Sequence, residues 1–198
     1  MENKEISDNQ EIKREEILSL LKKYSLPYEQ WGQGETKDIE YLFREIEAGE
    51  TVLIEEKGEL IRNVFGVGVD VYYENKEGRL KLMETHQEFS DGRIRKRPQL
   101  ESSLAEKIKA GEEPEKAAAR ALEEELGLKI KPEEIQFIQI DENIRDPQSY
   151  PGLKSKYIIH RFKISLPPDL FRPEGYTEDR EDLKSYWQWE KQETKKGK

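Results

Sequence analysis

Two neighbouring glutamates and an arginine, set in an alanine-rich segment, are the residues of this chain best suited to chemistry. In a helix, Glu124 and Glu125 lie one turn after Arg120 and Ala121 and share a face with them. Carboxylates crowded on one face repel each other, so a positive charge must balance them. The candidates are Arg120, solvent cations or a bound divalent metal ion.

The residues around this cluster predict a helix that begins at Pro114 and ends before Gly127. Proline is favoured at the first helical position, because the helix does not use the amide that proline lacks. Gly111 or Glu113 precedes it as a cap. The alanines that follow have high helix propensity, and Gly127 supplies a left-handed stop.

Residues 106–128 together resemble the Nudix box, G-x5-E-x7-R-E-U-x-E-E-x-G-U, in which U is a bulky aliphatic residue. Two positions differ, since Glu106 stands in place of the first glycine and Ala121 in place of the glutamate after the arginine. With Arg120 placed on the arginine of the box, the matching residues are Glu112, Leu122, Glu124, Glu125, Gly127 and Leu128. The chain is thus identified as a member of the Nudix hydrolase superfamily with a degenerate box.

This resemblance implies a fold and a reaction. The fold is α/β, a Nudix-type α/β/α sandwich with a mixed sheet. The reaction is hydrolysis of a small diphosphate-containing molecule, such as a nucleoside diphosphate linked to another moiety. Its cofactor is Mg²⁺ or Mn²⁺, which neutralises phosphate charge and lowers the pKa of bound water. The resemblance makes Glu112, Arg120, Glu124 and Glu125 the catalytic candidates, and Glu106, Glu124 and Glu125 the metal-ligand candidates.

Ala121 removes a carboxylate that the family uses as a metal ligand or as a base. Glu123 does not replace it, because a shift of two residues rotates a side chain about 200° around the helix. Many family members supply a late glutamate from a distant loop. Here the acidic loop before the last strand offers Glu174, Glu178 and Glu181, although a solvated charged loop is the alternative for each.

Two functions therefore stay open. One is a metal-dependent Nudix hydrolase. The other is a catalytically impaired Nudix-fold module that binds a phosphorylated ligand without cleaving it. The isopentenyl diphosphate isomerase branch also lacks the glutamate after the box arginine, but it uses a catalytic cysteine and a histidine-rich metal site. This chain has no cysteine and only 2 histidines, which excludes that mechanism.

A basic run and one tyrosine are the candidates for substrate binding. Alternation along a strand would place Arg93, Arg95 and Arg97 on one face, and guanidinium groups match the geometry of phosphate. An exposed strand that balances acidic neighbours is the alternative. Tyr176 is a candidate for stacking on a base or ring, with core or surface packing as its alternative.

Element patterns divide the chain into three parts. Residues 1–60 are predicted as an N-terminal extension with two helices and a strand, residues 61–190 as the Nudix-like domain, and residues 191–198 as a flexible tail. Within the extension, residues 1–10 are predicted to lack regular structure, and Thr36 is the expected cap of the second helix. Strands are expected near residues 65–73, 79–86, 135–144, 157–166 and 184–190.

Composition limits the partners. A net charge of −9 argues against nucleic acid polymers and anionic membranes, and leaves a small diphosphate-containing molecule as the expected ligand. No apolar stretch reaches the roughly 18 residues of a membrane helix. A cytoplasmic location is expected, and a homodimer is possible.

Overall fold

The computed structural model describes residues 2–34, 36–96 and 102–192, with side chains from Lys13 onward. The helices are α1 (Glu2–Lys23), α2 (Ile39–Glu47) and α3 (Pro114–Leu126). The strands are β1 (Thr51–Glu56), β2 (Glu59–Asn75), β3 (Gly78–Phe89), β4 (Ile94–Arg95), β5 (Leu104–Lys107), β6 (Gln136–Arg145), β7 (Ser155–Ser165), β8 (Tyr176–Asp179) and β9 (Leu183–Gln192). Short 3-10 turns lie at Tyr28–Gln30 and Pro132–Glu134.

The chain forms two compact units. The first contains residues 1–65, 109–111 and 142–158, and the second contains residues 66–108, 112–141 and 159–198. The predicted three-part division at residues 60 and 190 stays a prediction, and residues 193–198 of the predicted tail lie outside the described residues.

The first unit packs α1 and α2 around an apolar core that includes Leu21, Trp31, Leu42 and Tyr150. Strand β1 pairs along its whole length with the beginning of β2, from Glu59 to Val64, in an antiparallel hairpin. No described helix in the chain is long and apolar enough to cross a membrane.

Two local predictions for this unit are wrong. Helix α1 begins at Glu2, so residues 2–10 are helical where irregular chain was expected. The cap of α2 is Asp38, whose carboxylate accepts the backbone N–H of Tyr41 at 2.9 Å. Thr36 instead accepts the backbone N–H groups of Gly32 and Gln33, each at 2.9 Å, and so stabilises the preceding turn.

The second unit is built on a sheet with the strand order β6-β7-β2-β3-β9-β8, with β5 on β2 and β4 on β3. The pairings of β3 with β2, β4 and β9, of β5 with β2, and of β8 with β9 are antiparallel. Helix α3 contacts β5 and β8. The predicted α/β fold class is confirmed.

Helix α3 has the bounds that the sequence predicts. It begins at Pro114 with Glu113 as its N-cap residue, and it ends at Leu126. The C-cap residue that follows is Gly127, which has a φ of 68° in the left-handed region. The small side chains of Ala117, Ala118 and Ala121 are fully buried along one side, which allows close packing.

Candidate active site

Arg120 holds two glutamates of the box in place. Its Nε and Nη2 donate to the two carboxylate oxygens of Glu112 at 2.8 and 3.0 Å, and its Nη1 donates to Glu124 at 3.0 Å. A further Nη2 bond reaches the carbonyl oxygen of Lys107 at 2.8 Å and ties α3 to β5. The hydrogen bonds that Arg120 donates to Glu112 raise the pKa of Arg120, although burial opposes this. Arg120 is therefore placed to orient these two carboxylates.

Glu125 lies on a different side of α3 from this ion pair. Only 8% of it is exposed, whereas the Glu124 side chain is 46% exposed. Ala121, one turn before Glu125, is fully buried. The position where the family has a glutamate therefore lies on the same packed helix face as Glu125.

Glu106 projects from β5 onto a defined face of the sheet. It stands directly opposite Val67 of β2, so the two side chains share a face. Val67, Val69 and Val71 alternate along β2 and are at most 1% exposed, which marks this as the apolar, buried face. The Glu106 carboxylate accepts the backbone N–H of Lys107 at 2.7 Å.

Glu178 is the late glutamate that the strand register directs inward. The prediction placed it in a loop, but it lies in β8, where Tyr176, two residues earlier, shares its face and is buried. Its side chain is only 12% exposed. Glu174 precedes β8 and Glu181 follows it, and both are exposed.

Arg180 is a site residue that the sequence reasoning did not identify. Its Nε donates to Glu178 at 2.6 Å. Burial lowers the pKa of Arg180, but the hydrogen bond with Glu178 and the charges of Glu178, Glu125 and Glu106 outweigh it and raise the pKa. The guanidinium group therefore interacts electrostatically with Glu106 and Glu125, two of the predicted metal-ligand glutamates.

A row of polar side chains crosses strands β3, β9 and β8, and we call it the polar row: Glu84, Gln87, Ser185 and Glu178. Ser185 stands opposite Gln87 on one side and opposite Glu178 on the other. The buried amide of Gln87 donates to Glu84 at 3.2 Å and to Ser185 Oγ at 3.3 Å. A register shift between Glu84 and His86 brings Glu84 and Gln87 to the same face.

The polar row also positions one of the predicted substrate arginines. The Nε of Arg95 donates to the side-chain oxygen of Gln87 at 2.9 Å, and Nη2 contacts the same atom. Arg93 is bound by the exposed Asp91 at 2.7 Å. Both guanidinium groups lie over the Phe89 ring, at 4.8 and 5.2 Å from its centroid. Arg97 lies outside the described residues.

Tyr176 is 3% exposed, and its hydroxyl donates to the carbonyl oxygen of Leu170. Its ring packs edge-on against Trp189 at 6.3 Å, with the Arg172 guanidinium group 5.2 Å from its centroid. This placement corresponds to the packing alternative considered for Tyr176, and stacking on a ligand stays a prediction.

The carboxylates suit a divalent cation in chemical type. Mg²⁺ prefers oxygen ligands and is usually bound through one or two carboxylates, with water and substrate phosphates completing its shell. Glu106 and Glu125 offer such groups, and Glu178 offers a third. Across the described part of the chain, however, no three acidic or histidine side chains converge closely enough to form a ready metal site. The residues therefore fit a metal held by one or two carboxylates.

The sequence reasoning missed Glu84, Gln87, Ser185 and Arg180. The first three meet only because two strand pairings and a register shift bring them together. One signal was available for Arg180, since it is the only basic residue between Tyr176 and Asp182. A single basic residue in an acidic segment indicates a local ion pair.

The model of the NUDIX domain matches residues 64–194. This match covers well over half of the chain, and the protein belongs to the NUDIX domain family. No curated protein matches the chain significantly.

The chain also has some similarity to solved structures, and three examples follow. The C. elegans Ap4A hydrolase is 15% identical, with a TM-score of 0.36, over 64% of this chain and 79% of that one. The E. coli dihydroneopterin triphosphate pyrophosphohydrolase is 15% identical, with a TM-score of 0.37, over 63% and 78%. The T. brucei MERS1 protein is 16% identical, with a TM-score of 0.35, over 77% and 58%.

Proposed function

We propose that this protein is a Nudix-type hydrolase that uses Mg²⁺ or Mn²⁺ to cleave a small diphosphate-containing molecule. The observation that carries the proposal is the ordered charge arrangement of the box. Arg120 holds Glu112 and Glu124, so these two carboxylates are already balanced. Glu125 lies on the packed side of the helix. Glu125 and Glu106 both interact electrostatically with Arg180.

Each of these residues has a role in the proposed reaction. Glu125 and Glu106 are the metal ligands, with Glu178 as the late carboxylate. The bound metal supplies charge neutralisation at the phosphates and a lower pKa for water. Arg120 fixes Glu112 and Glu124 through charge-assisted hydrogen bonds. Arg95 binds a phosphate oxygen through the N–H groups that Gln87 does not occupy.

The alternative is a module that binds a phosphorylated ligand without cleaving it. Two observations favour it: Ala121 replaces a family carboxylate, and the described side chains do not form a ready three-ligand metal site. Arg95 and Arg180 would serve such a module equally well, since anion binding requires no metal. A nucleic acid polymer is not proposed as the ligand, and a homodimer stays a prediction.

The proposed activity is tested by measuring the phosphomonoester products formed from nucleoside diphosphates linked to sugars and related groups, with Mg²⁺ and with Mn²⁺. We expect metal-dependent turnover that Glu125→Gln largely abolishes, because an amide is a weaker ligand for hard cations than a carboxylate. Glu115→Gln is the matched control, since it makes the same change at an exposed position of α3. Ligand binding without turnover under every metal condition would favour the binding module.

Gln87→Leu is expected to raise the KM about tenfold and to change kcat little. Leucine removes the oxygen that fixes Arg95, and a hydrogen bond to a charged group contributes about 1.5–3 kcal/mol. Loss of an interaction that is equally strong in the ground state and in the transition state raises KM and leaves kcat unchanged. Steady-state kinetics measure the effect, with the exposed Gln188→Leu on β9 as the control. An unchanged KM would show that Arg95 does not contact the substrate.

A further inference from the structure

Arg180 has a position that neither the box nor the sequence pattern assigns. It follows β8 in the turn that leads to β9, where its backbone N–H donates to the carbonyl oxygen of Leu183 at 2.9 Å. Its side chain is 49% exposed, but the carboxylate that it binds, Glu178, is only 12% exposed. The guanidinium group therefore reaches from solvent toward the buried face of the sheet.

Only part of the guanidinium group is engaged. Nε binds Glu178, and within the described residues the two Nη groups have no hydrogen-bond partner. The group nevertheless interacts electrostatically with Glu125 and Glu106. Glu178 in turn stands opposite Ser185 in the polar row. Arg180 thus brings donor groups to Glu178 of β8, a strand that packs against α3, the helix that carries Glu125.

We infer that Arg180 binds a phosphate group of the substrate, and that its charge lowers the affinity of the neighbouring carboxylates for a divalent cation. This inference rests on the proposed function of the same site. A guanidinium group matches two phosphate oxygens with parallel N–H groups, and Glu178 holds the side chain in the required orientation. Before a metal binds, the same charge offsets the repulsion among the glutamates.

Removal of the Arg180 charge is expected to change the affinity for a divalent cation and the affinity for phosphate in opposite directions. A positive charge near the carboxylates repels an incoming divalent cation, so its loss strengthens metal binding. The same loss removes a donor to phosphate, so it weakens the binding of phosphate-containing ligands. A purely structural role for Arg180 predicts a different pattern, since a disordered hairpin would weaken both.

The experiment compares the wild type with Arg180→Gln and Arg180→Lys by isothermal titration calorimetry. The probes are Mn²⁺ alone and inorganic pyrophosphate alone. For Arg180→Gln we expect the Mn²⁺ dissociation constant to fall about 3–10-fold, as for a unit charge removed at short range in a solvated site. The pyrophosphate dissociation constant should rise about tenfold or more, as for a lost charged hydrogen bond.

Arg180→Lys keeps the charge and removes the planar fork. We expect its Mn²⁺ affinity to stay near that of the wild type while its pyrophosphate affinity falls. Lys184→Gln is the matched control, because it removes a positive charge from the same hairpin, where it pairs with the exposed Asp179 at 2.9 Å. Thermal unfolding of each variant verifies that the hairpin is folded.

Weaker Mn²⁺ binding in Arg180→Gln, or no change with either probe, would overturn the inference. So would a wild type that binds neither Mn²⁺ nor pyrophosphate. Failure of the proposed hydrolysis is a separate result. If the wild type binds both probes but turns over no substrate, the hydrolase proposal fails while the two affinities still decide the role of Arg180.

Discussion

Glu45→Leu is expected to lower the free energy of unfolding by about 3–5 kcal/mol, the usual cost of breaking a buried ion pair. Glu45 lies in the core of the first unit and binds Arg62 at 3.0 Å, with both side chains at most 5% exposed. Without Glu45, the contacts left to the Arg62 guanidinium group among the described residues are a hydrogen bond from Nη1 to Ser155 at 3.0 Å and the ring of Tyr150 at 4.9 Å. A buried guanidinium group would then lack a counter-charge.

Arg62→Met should cost less, at the lower end of the same range. After this substitution Glu45 still binds Lys37 at 2.6 Å and accepts the hydroxyl of Tyr150 at 3.2 Å. The burial of that hydroxyl raises the pKa of Tyr150, so it remains a donor across the range used for folding measurements. Arg62→Met is therefore expected to destabilise the protein less than Glu45→Leu, because Glu45 keeps other polar contacts.

The double variant Glu45→Leu/Arg62→Met distinguishes the loss of the ion pair from the loss of side-chain packing. With both charges replaced by apolar groups, no unpaired charge stays buried, and stability should recover most of the way to the wild type. Urea unfolding of the wild type, both single variants and the double variant gives the coupling free energy. Additive losses would show that the pair contributes through packing alone.

The box helix was predictable because its signals are local. Pro114 determines where α3 begins, the alanines favour its helical interior, and Gly127 determines where it ends. Each signal acts within about one helical turn. The contact of Arg120 with Glu124 follows from helical spacing alone. Its stronger contact with Glu112 follows from the resemblance and not from spacing, since Glu112 precedes the helix.

The cap of α2 shows where local signals become ambiguous. Thr36 and Asp38 are both good N-cap residues, two positions apart. The choice depends on Thr36 already accepting two N–H groups of the preceding turn at Gly32 and Gln33. The sequence pattern therefore cannot decide between Thr36 and Asp38 as the cap, because the choice depends on how the preceding turn folds.

The polar row and the Glu45–Arg62 pair could not be predicted, because each depends on long-range pairing. Gln87 and Ser185 are 98 residues apart in sequence and meet only through the register of β3 with β9. The sequence offers Glu174, Glu178 and Glu181 as equal candidates. Only the alternation of side chains along β8 shows that Glu178 points inward. A charged residue such as Arg62 is expected at the surface by composition, and only the fold explains its burial.

Ala121→Glu is expected to lower the stability of the metal-free protein by about 3 kcal/mol, or roughly 6–12 °C in Tm for a chain of this size. Ala121 is fully buried, and one turn later Glu125 is 8% exposed, so the new carboxyl group would be desolvated beside a like charge. Both effects raise its pKa above the unfolded value near 4.3. The folded variant then binds protons more tightly than the unfolded chain, so the charge-dependent part of the deficit is absent below about pH 4 and grows as the pH rises.

Mn²⁺ should relieve this deficit if the packed face of α3 is a metal site. Two carboxylates one turn apart bind a divalent cation better than one, and a ligand that binds only the folded state raises its stability. Thermal unfolding of Ala121→Glu with and without Mn²⁺ measures the effect, and Ala121→Gln provides a neutral side chain of similar size. The glutamine variant should be destabilised equally at every pH and should not respond to Mn²⁺. A glutamate variant that Mn²⁺ leaves equally unstable would place no metal at this face, and the function that binds without cleaving would then be the better explanation of the degenerate box.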